Sequence, residues 1–274
     1  MKFFDMIIKN KKQDETVNKK RLSRIIAFTN QKGGVGKSTT AVNVSAYLSS
    51  YGYKTLLIDL DPQSNSTSGL GVNPSDVKQS IYDILIHDSE PDEIIIDTSY
   101  KNLRLLPSSI QLAGAEIELV PSLKREFRLK EAIIKIEKDY DFILIDCPPA
   151  LGLLTINALT AAREVIIPIQ CEYYALEGLG QLLNTINLVK KNLNDGLKIK
   201  GAIMTMYDPR IKLAEQVIEE VKNYFSEKVY KTVIPRNVRL SEAPSYGKPI
   251  IDYDPHCKGA EAYNNFTKEV IENG

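Results

Sequence analysis

Cysteine is scarce in this sequence, which has only three in 274 residues: Cys147, Cys171 and Cys257. The three lie far apart and form no Cys-x-x-Cys pair. A disulfide framework needs closely spaced sets of cysteines, and a structural zinc site needs paired ligands. We therefore expect neither kind of site, and the composition suits a reducing cytoplasm.

The chain also lacks a long hydrophobic run and a net charge. No apolar segment approaches the roughly 18–20 residues that span a bilayer. Lysine plus arginine and aspartate plus glutamate balance at 35 each. Such a chain is not a constitutive polyanion binder. Any nucleic-acid binding must come from a local patch and should be weak for a single subunit.

No internal repeat, low-complexity tract or glycine/serine linker divides the chain, so we expect one domain over residues 23–274. Residues 1–22 form a lysine-rich extension, and its apolar start between Phe3 and Ile8 is too short for a secretory signal. We interpret the extension as a disordered, solvated tail. A weak electrostatic anchor for DNA or anionic lipid is the alternative.

The chain does contain a glycine-rich segment, Asn30–Thr40, between a strand-like apolar run and a helix-like one. Such a turn directs successive main-chain N–H groups at one anion, and the helix dipole adds positive charge there. In this pattern Lys37 reaches the β- and γ-phosphates of ATP, and the Ser38 hydroxyl binds Mg²⁺. The predicted nucleotide-binding residues of the segment are Lys32, Gly33, Gly34, Val35, Gly36, Lys37, Ser38 and Thr39.

This segment departs from the common Gly-x-x-x-x-Gly-Lys-Ser/Thr motif. Gln31 occupies the first glycine position, and Lys32 adds a second lysine. The deviant pattern resembles that of the ParA/MinD group of ATPases. In that group the extra lysine reaches across a dimer to the nucleotide of the partner subunit. The resemblance therefore implies that Lys32 contributes to catalysis, together with Lys37.

Two further strand-like runs end in acids. Lys54–Asp61 ends with Asp59 and Asp61, and Asp141–Asp146 ends with Asp146. In phosphate-binding folds, an acid at the end of a strand such as Asp141–Asp146 holds magnesium beside the hydroxyl of the loop. Asp146 is therefore a predicted metal residue. Asp59 and Asp61 could simply end a strand, but they follow the glycine-rich segment by one βα unit, which favours a functional role.

The segment Pro62–Gly71 is polar and rich in turn residues, which suits a mobile loop over a nucleotide. It resembles the switch region of the ParA family, where most relatives have glycine in place of Ser64. The resemblance implies that Asp61 is catalytic, because it positions and polarises the attacking water. It also implies that Asp59 helps hold the magnesium shell. Cys147–Asn157 resembles the second switch of the family.

Other apolar runs alternate with helix-like segments. Strands are also predicted at Leu103–Leu106, Val165–Ile169, Gly201–Met206 and Val229–Ile234, and helices at Ile81–Ile86, Gln111–Leu119, Glu126–Lys138, Ala175–Asn192 and Lys212–Phe225. This alternation predicts an α/β fold of the P-loop NTPase kind, with a mostly parallel, twisted sheet covered by helices.

The run Pro235–Pro244 follows the last predicted strand and closely resembles that of chromosomal ParA (Soj) proteins. The match extends from Arg24 to the C-terminus. It implies that Pro235 and Asn237 bind the adenine base, and an ordinary irregular loop is the alternative. It also assigns DNA binding to Arg210 and Arg239, although a solvated face of mixed charge is the default interpretation of that region.

The resemblance implies a slow partition ATPase. As a homodimer around two Mg·ATP, it would bind double-stranded DNA without sequence preference and be stimulated by a ParB-type centromere-binding protein. It would drive chromosome or plasmid segregation from the cytoplasm, on the nucleoid. DnaA is a further candidate partner, because family members affect replication initiation through it. Two arginines per subunit give little DNA affinity, so a dimer that doubles them explains ATP-dependent binding.

Three other protein classes use such a loop. A MinD-like membrane ATPase needs a basic amphipathic C-terminal helix, but Gly259–Gly274 is acidic and weakly apolar, so we expect no stable membrane anchor. An iron–sulfur carrier of the nitrogenase-reductase kind needs a bridging cysteine pair, and Cys147 lies inside a strand end. A bacterial tyrosine kinase would need a terminal tyrosine cluster, which this sequence lacks.

Overall fold

The computed structural model of the protein describes residues 22–172, 178–225 and 228–273, without the side chains of residues 212 and 213. The predicted basic extension, except for Leu22, lies outside the described residues. The first residues of the helix predicted from Ala175 lie outside them too.

An eight-stranded sheet forms the centre of the described structure. Its strands are β1 (Arg24–Phe28), β2 (Thr55–Asp59), β3 (Ile96–Asp97), β4 (Leu103–Leu106), β5 (Phe142–Asp146), β6 (Glu164–Gln170), β7 (Lys198–Tyr207) and β8 (Val229–Pro235). The order across the sheet is β3-β4-β2-β5-β1-β6-β7-β8. Every neighbouring pair is parallel except β3 with β4. The carboxyl ends of all strands but β3 therefore lie at one edge, where open α/β sheets bind ligands.

Helices connect and cover these strands. They are α1 (Lys37–Ser50), α2 (Asn65–Gly69), α3 (Ile81–His87), α4 (Pro91–Ile94), α5 (Leu112–Glu118), α6 (Arg128–Ile136), α7 (Leu153–Ala161), α8 (Leu179–Asn192), α9 (Lys212–Phe225), α10 (Val238–Glu242), α11 (Ile250–Tyr253) and α12 (Lys258–Glu272). Short 3₁₀ turns occur at Pro74–Asp76, Glu137–Asp139 and Ala243–Tyr246. Every predicted strand and helix is present in the described part of the chain, with ends shifted by a few residues.

The sheet is buried on both faces because its central strands are continuous apolar runs. In β1, Ile25 and Ala27 join a core formed with α3, α6, α7, α8 and α9. Ile26 and Phe28 alternate with them and pack on the other face against α1 and α12. The fold has three layers and confirms the predicted mostly parallel, helix-covered sheet.

The helix α12, which the sequence interpretation did not predict, holds α1 in place. Its residues Tyr263 and Phe266, about one turn apart, are buried in the core. The Tyr263 hydroxyl lies 3.2 Å from Oγ1 of Thr40, and the Tyr47 hydroxyl donates a 2.8 Å hydrogen bond to the carbonyl of Ala260. These contacts fix the helix whose N-terminus follows the glycine-rich segment.

The strand β8 forms one edge of the sheet, and α12 covers its outer side. The carboxylate of Glu269 accepts hydrogen bonds from the main-chain N–H of Lys231 at 2.8 Å and of Thr232 at 2.7 Å. The opposite edge is formed by β3, which has only two residues. A long run of free main-chain donors is therefore absent from the described part of both edges.

None of the helices in the described segments combines the length and the apolar character that a bilayer crossing requires.

Candidate functional site

The glycine-rich segment forms a tight loop between β1 and α1. Gly34 and Gly36 adopt φ values of 75° and 85°, in the left-handed region that favours glycine. The Asn30 side chain donates to the Pro168 carbonyl at 2.7 Å and accepts from the Lys32 N–H at 3.0 Å. The hydroxyl of Thr205 in β7 donates to the carbonyl of residue 35 at 2.9 Å. The loop is thus held by β6 and β7 and opens onto the N-terminus of α1.

The Lys37 side chain is buried at the first turn of α1. Its Nζ donates a 3.0 Å hydrogen bond to the carbonyl of Lys32. Burial lowers the pKa of Lys37, and the nearby charges of Asp146 and Asp61 raise it in part. An ammonium group that has lost most of its hydration favours an additional anionic partner, which a phosphate would supply.

Two buried carboxyl groups close the neighbouring strands β2 and β5. Asp59 and Asp146 are register partners in the sheet. Asp59 Oδ2 accepts from the N–H and the hydroxyl of Thr67 in α2, at 2.8 and 2.7 Å, and its Oδ1 accepts from the Asp61 N–H at 3.2 Å. Burial and the charge of Asp146 raise the pKa of Asp59. Both oxygens of Asp59 are therefore occupied by donors of the chain itself.

Asp146 has one oxygen to spare. Its Oδ2 accepts from the Ser66 hydroxyl at 2.8 Å, whereas its Oδ1 is buried with no hydrogen-bond partner in the described part of the chain. Burial raises the pKa of Asp146, while the hydrogen bond from Ser66 lowers it. A buried acceptor beside a hydroxyl suits a hard cation.

The described segments contain no group of three or more His, Cys, Asp or Glu side chains able to hold a metal ion. A cation beside Asp146 and Ser38 would thus need further oxygen ligands from elsewhere, and nucleotide phosphates commonly supply them to Mg²⁺.

The side chain of Asp61 faces the same region from the residue before the switch-like segment, Pro62–Gly71. Asp61 is 5% exposed, and its Oδ1 accepts from the Gln63 N–H at 3.0 Å. Its main-chain carbonyl accepts from the Ser64 N–H at 2.9 Å and from the Ser108 hydroxyl at 2.7 Å. The carboxylate keeps a second oxygen available toward the cleft.

These groups surround a cleft of about 490 Å³ at the carboxyl edge of the sheet. Its lining is Gly33, Gly34, Gly36, Lys37, Ser38, Thr39, Val42, Asn43, Asp61, Gln63, Asn65, Ser68, Gly69, Pro149, Met206, Leu240, Ala243, Pro244, Ser245 and Lys248. Most predicted residues of the glycine-rich segment thus lie together with Asp61. Val35 is buried, and Asp59 and Asp146 are buried at the strand ends beside the cleft.

Besides Val35, Asp59 and Asp146, three further residues predicted to bind the nucleotide or its metal lie outside this lining. The Lys32 side chain is partly exposed, and Pro235 ends β8. The Asn237 side chain accepts from the Arg239 N–H at 2.8 Å, so it caps the N-terminus of α10. The roles predicted for these residues stay predictions.

The far wall of the cleft includes residues that the sequence interpretation missed. Leu240, Ala243 and Pro244 belong to the run Pro235–Pro244, in which the predicted binding residues are Pro235 and Asn237. Met206 lines the cleft from the end of β7 with a φ of 52°, a conformation that no local sequence signal indicates.

Two glycines bring this wall against the switch-like segment. Gly71 and Gly247 have φ values of 82° and 63°. A Cβ atom on Gly247 would lie 2.7 Å from the Cα of Gly71, and one on Gly71 would lie 3.1 Å from the carbonyl oxygen of Gly247. The two backbones therefore cross at a distance that only glycine allows.

The two predicted DNA-binding arginines lie outside the cleft, and both are paired with acids. Nη2 and Nε of Arg210 contact the Asp208 carboxylate at 2.6 and 2.9 Å. The hydrogen bonds from Arg210 lower the pKa of Asp208 to about 2. Arg239 contacts Glu242 at 2.9 Å and Asp254 at 3.4 Å. Both guanidinium groups remain largely exposed, so these pairs are weak and screened by salt.

Known proteins match the chain along most of its length. A family model described as an AAA domain matches residues 23–199. The sporulation initiation inhibitor protein Soj of Bacillus subtilis is 62% identical over 253 residues, which cover 92% of the chain and 100% of that protein. The chromosome partitioning protein ParA of Myxococcus xanthus is 51% identical over 251 residues, which cover 92% and 89%.

A solved structure shows the same fold. It is that of cobyrinic acid a,c-diamide synthase from Mycobacterium smegmatis with bound ADP and magnesium. The match has a TM-score of 0.81 and 39% identity, and it covers 92% of the chain and 95% of that protein.

Proposed function

Because the chain belongs to the ParA/Soj family of chromosome-partitioning ATPases, we propose that it binds Mg·ATP in the cleft, dimerises around the nucleotide and then binds DNA without sequence preference. A ParB-type partner stimulates a slow hydrolysis that ends the DNA-bound state. Cycles of this kind drive the segregation of a chromosome or a plasmid. The observation that carries the proposal is the convergence of Lys37, Asp61 and Asp146 on one glycine-rich loop.

The residues at the loop fit a nucleotide with magnesium. Lys37 offers a buried cation, and the N-terminus of α1 offers main-chain donors for phosphate. Ser38 and the free Oδ1 of Asp146 offer the oxygen ligands that Mg²⁺ prefers. Bound magnesium would neutralise phosphate charge. Asp59, whose oxygens are both occupied, supports the metal site indirectly by anchoring α2. The M. smegmatis neighbour with ADP and magnesium supports this assignment.

Hydrolysis depends on Asp61 in this proposal. Its carboxylate lines the cleft, where it orients a water molecule toward the terminal phosphate. A strong base is not required, because phosphoryl transfer depends mainly on positioning and on charge stabilisation. Adenine packs at the far end of the cleft, where Pro235 and Asn237 support the wall formed by residues 240–248.

Dimerisation places two glycine-rich loops face to face. Gly33 and Gly34 are exposed, and a Cβ atom on Gly33 would meet only Pro149, at 4.0 Å. The outer surface of the loop is thus open to a second subunit. Lys32 of one subunit then compensates the phosphate charge of the nucleotide in the other.

DNA binding follows from dimerisation. Arg210 and Arg239 form a small basic site on each subunit, and the dimer doubles it. The protein acts in the cytoplasm on the nucleoid, with a ParB-type protein as its stimulating partner and DnaA as a further partner in replication initiation. The identity to chromosomal Soj and ParA proteins supports these partners.

Two variants test the division of labour between the acid and the second lysine. We expect Asp61→Ala to bind ATP and dimerise but to hydrolyse it at less than about a hundredth of the wild-type rate. Lys32→Ala should also lose turnover, but because its dimer fails to form. Gel filtration with Mg·ATP then shows a dimer for Asp61→Ala and a monomer for Lys32→Ala. Wild-type hydrolysis by Asp61→Ala would remove Asp61 from the catalytic role.

A further inference from the structure

Ser108 connects the segment that contains Asp61 to the end of strand β4. It follows β4 and is fully buried. Its hydroxyl donates a 2.7 Å hydrogen bond to the main-chain carbonyl of Asp61. Its N–H donates at 3.1 Å to the hydroxyl of Thr67, which in turn donates at 2.7 Å to Asp59. One residue thus contacts the backbone of Asp61 and the helix that follows it.

The bond from Ser108 differs from the other bonds that Asp61 makes. Those come from residues at most three positions away: the Asp61 N–H donates to Asp59, and Gln63 and Ser64 donate to Asp61. Bonds within one segment move with that segment. Ser108 instead extends from β4, which pairs with β2 over four residues in the sheet. It therefore links the main chain of Asp61 to a strand of the sheet outside its own segment.

We infer that Ser108 is a positioning residue for hydrolysis, which holds the Asp61 backbone so that the carboxylate stays directed into the cleft. The inference rests on the proposed role of Asp61. Ser108 itself lies outside the cleft lining, so it acts only through Asp61 and Thr67. Its loss should change turnover and leave nucleotide binding alone, because Lys37, Ser38 and Asp146 keep all their contacts.

The test compares Ser108→Ala with the wild-type chain. We expect the affinity for ATP, measured by displacement of a fluorescent ATP analogue, to stay within about twofold. We expect kcat for Mg·ATP hydrolysis in the presence of DNA to fall about tenfold to a hundredfold, because small displacements of a catalytic group have effects of this size. Ser108→Thr, which keeps the hydroxyl, should restore most of the turnover.

Ser109→Ala is the matched control. The Ser109 hydroxyl is also buried, but its hydrogen-bond partner is the hydroxyl of Ser80, at 3.0 Å, and not Asp61. Ser109→Ala therefore removes one buried hydrogen bond at the position next to Ser108. We expect a similar fall in melting temperature for both alanine variants but an unchanged kcat for Ser109→Ala. If Ser108→Ala does not fold, Ser108→Cys gives the same comparison with a much weaker donor, and its kcat should be reduced.

The outcomes separate this inference from the proposed function. Full turnover by the Ser108 variants together with loss of turnover in Asp61→Ala would overturn the positioning role alone. Full turnover by Asp61→Ala would overturn both. A fall in ATP affinity for Ser108→Ala as large as the fall in kcat would also overturn the inference, because it would indicate general damage to the cleft.

Discussion

Ser64 adopts a backbone conformation that is costly for any residue with a Cβ atom. Its φ is 54°, at the N-terminus of α2, and its side chain is buried. Within the described residues its hydroxyl makes one long contact, 3.5 Å to the Pro62 carbonyl. The backbone conformation at this position therefore favours the glycine that the resemblance to the ParA family implies there, because glycine adopts positive φ without a steric penalty.

We predict that Ser64→Gly raises the free energy of unfolding by about 0.5–1 kcal/mol, because relief of the left-handed strain exceeds the added entropy of the unfolded chain. Urea denaturation measures the change. Ser68→Gly, inside α2, is the control and should lower the free energy of unfolding by about 1 kcal/mol. A destabilised Ser64→Gly variant would show that the serine side chain contributes more than its contacts indicate.

At the scale of elements, the crossing of Gly71 and Gly247 joins the switch-like segment to the far wall of the cleft. Ser68 and Gly69 precede the first glycine and line the cleft, and Lys248 follows the second and lines it too. Any side chain at the crossing must separate the two walls. The width of the cleft therefore depends on a contact that involves no side chain.

We predict that Gly247→Ala weakens ATP binding about tenfold or more, since its Cβ would lie 2.7 Å from a backbone atom of Gly71. Gly52→Ala is a matched control, because Gly52 also has a positive φ, of 90°, but has no atom within 4 Å of a Cβ placed on it. Gly52→Ala should lose about 1 kcal/mol of stability and keep its ATP affinity. Titration calorimetry with ATP distinguishes the two. Equal affinities would show that the crossing of Gly71 and Gly247 does not set the width of the cleft.

The elements that sequence patterns predicted are those with a local signal. The strands β1, β2 and β5 are continuous apolar runs, and the glycine-rich loop is a short motif, so both were predictable. The two residues of β3 are too few for a period. Ala260, Tyr263, Phe266 and Val270 form a buried face of α12 at helical spacing, so its signal was present in the sequence although the helix was not predicted. The far wall of the cleft was missed in part because Met206 and Leu240 are far apart in the sequence and line the same cleft only after folding.

At the scale of the whole molecule, the charge is balanced and the candidate DNA-binding groups are exposed arginines with acidic neighbours. Arg210 is 86% exposed in its side chain and pairs with Asp208, and Arg239 is 53% exposed and pairs with Glu242. If the protein binds DNA as proposed, each arginine exchanges an acid for a phosphate. The net stabilisation from each phosphate is therefore small, which makes binding depend on how many arginines the assembly presents.

We predict that Arg210→Ala and Arg239→Ala each weaken DNA binding by a similar factor for all sequences. Each should also reduce the salt dependence, by about one unit of slope for every phosphate that the arginine neutralises. Fluorescence anisotropy over a range of salt concentrations measures both effects. Arg104→Ala on β4, which removes an arginine paired with Asp97, should leave DNA affinity unchanged. A change in sequence preference would contradict non-specific phosphate binding.

The carboxylate of Glu269 on the outer side of β8 also bears on a situation that the proposed function implies, in which many copies gather along DNA. A sheet with a bare outer strand offers a template to which a neighbouring chain can add a strand of its own, and repeated addition leads to fibrous aggregates. Here the Glu269 carboxylate accepts hydrogen bonds from the N–H groups of Lys231 and Thr232, so a neighbouring strand cannot pair with them. At the opposite edge, β3 has only two residues and offers few main-chain groups for pairing. Crowded copies can thus stay folded and separable, as the proposed reversible, nucleotide-controlled dimerisation requires.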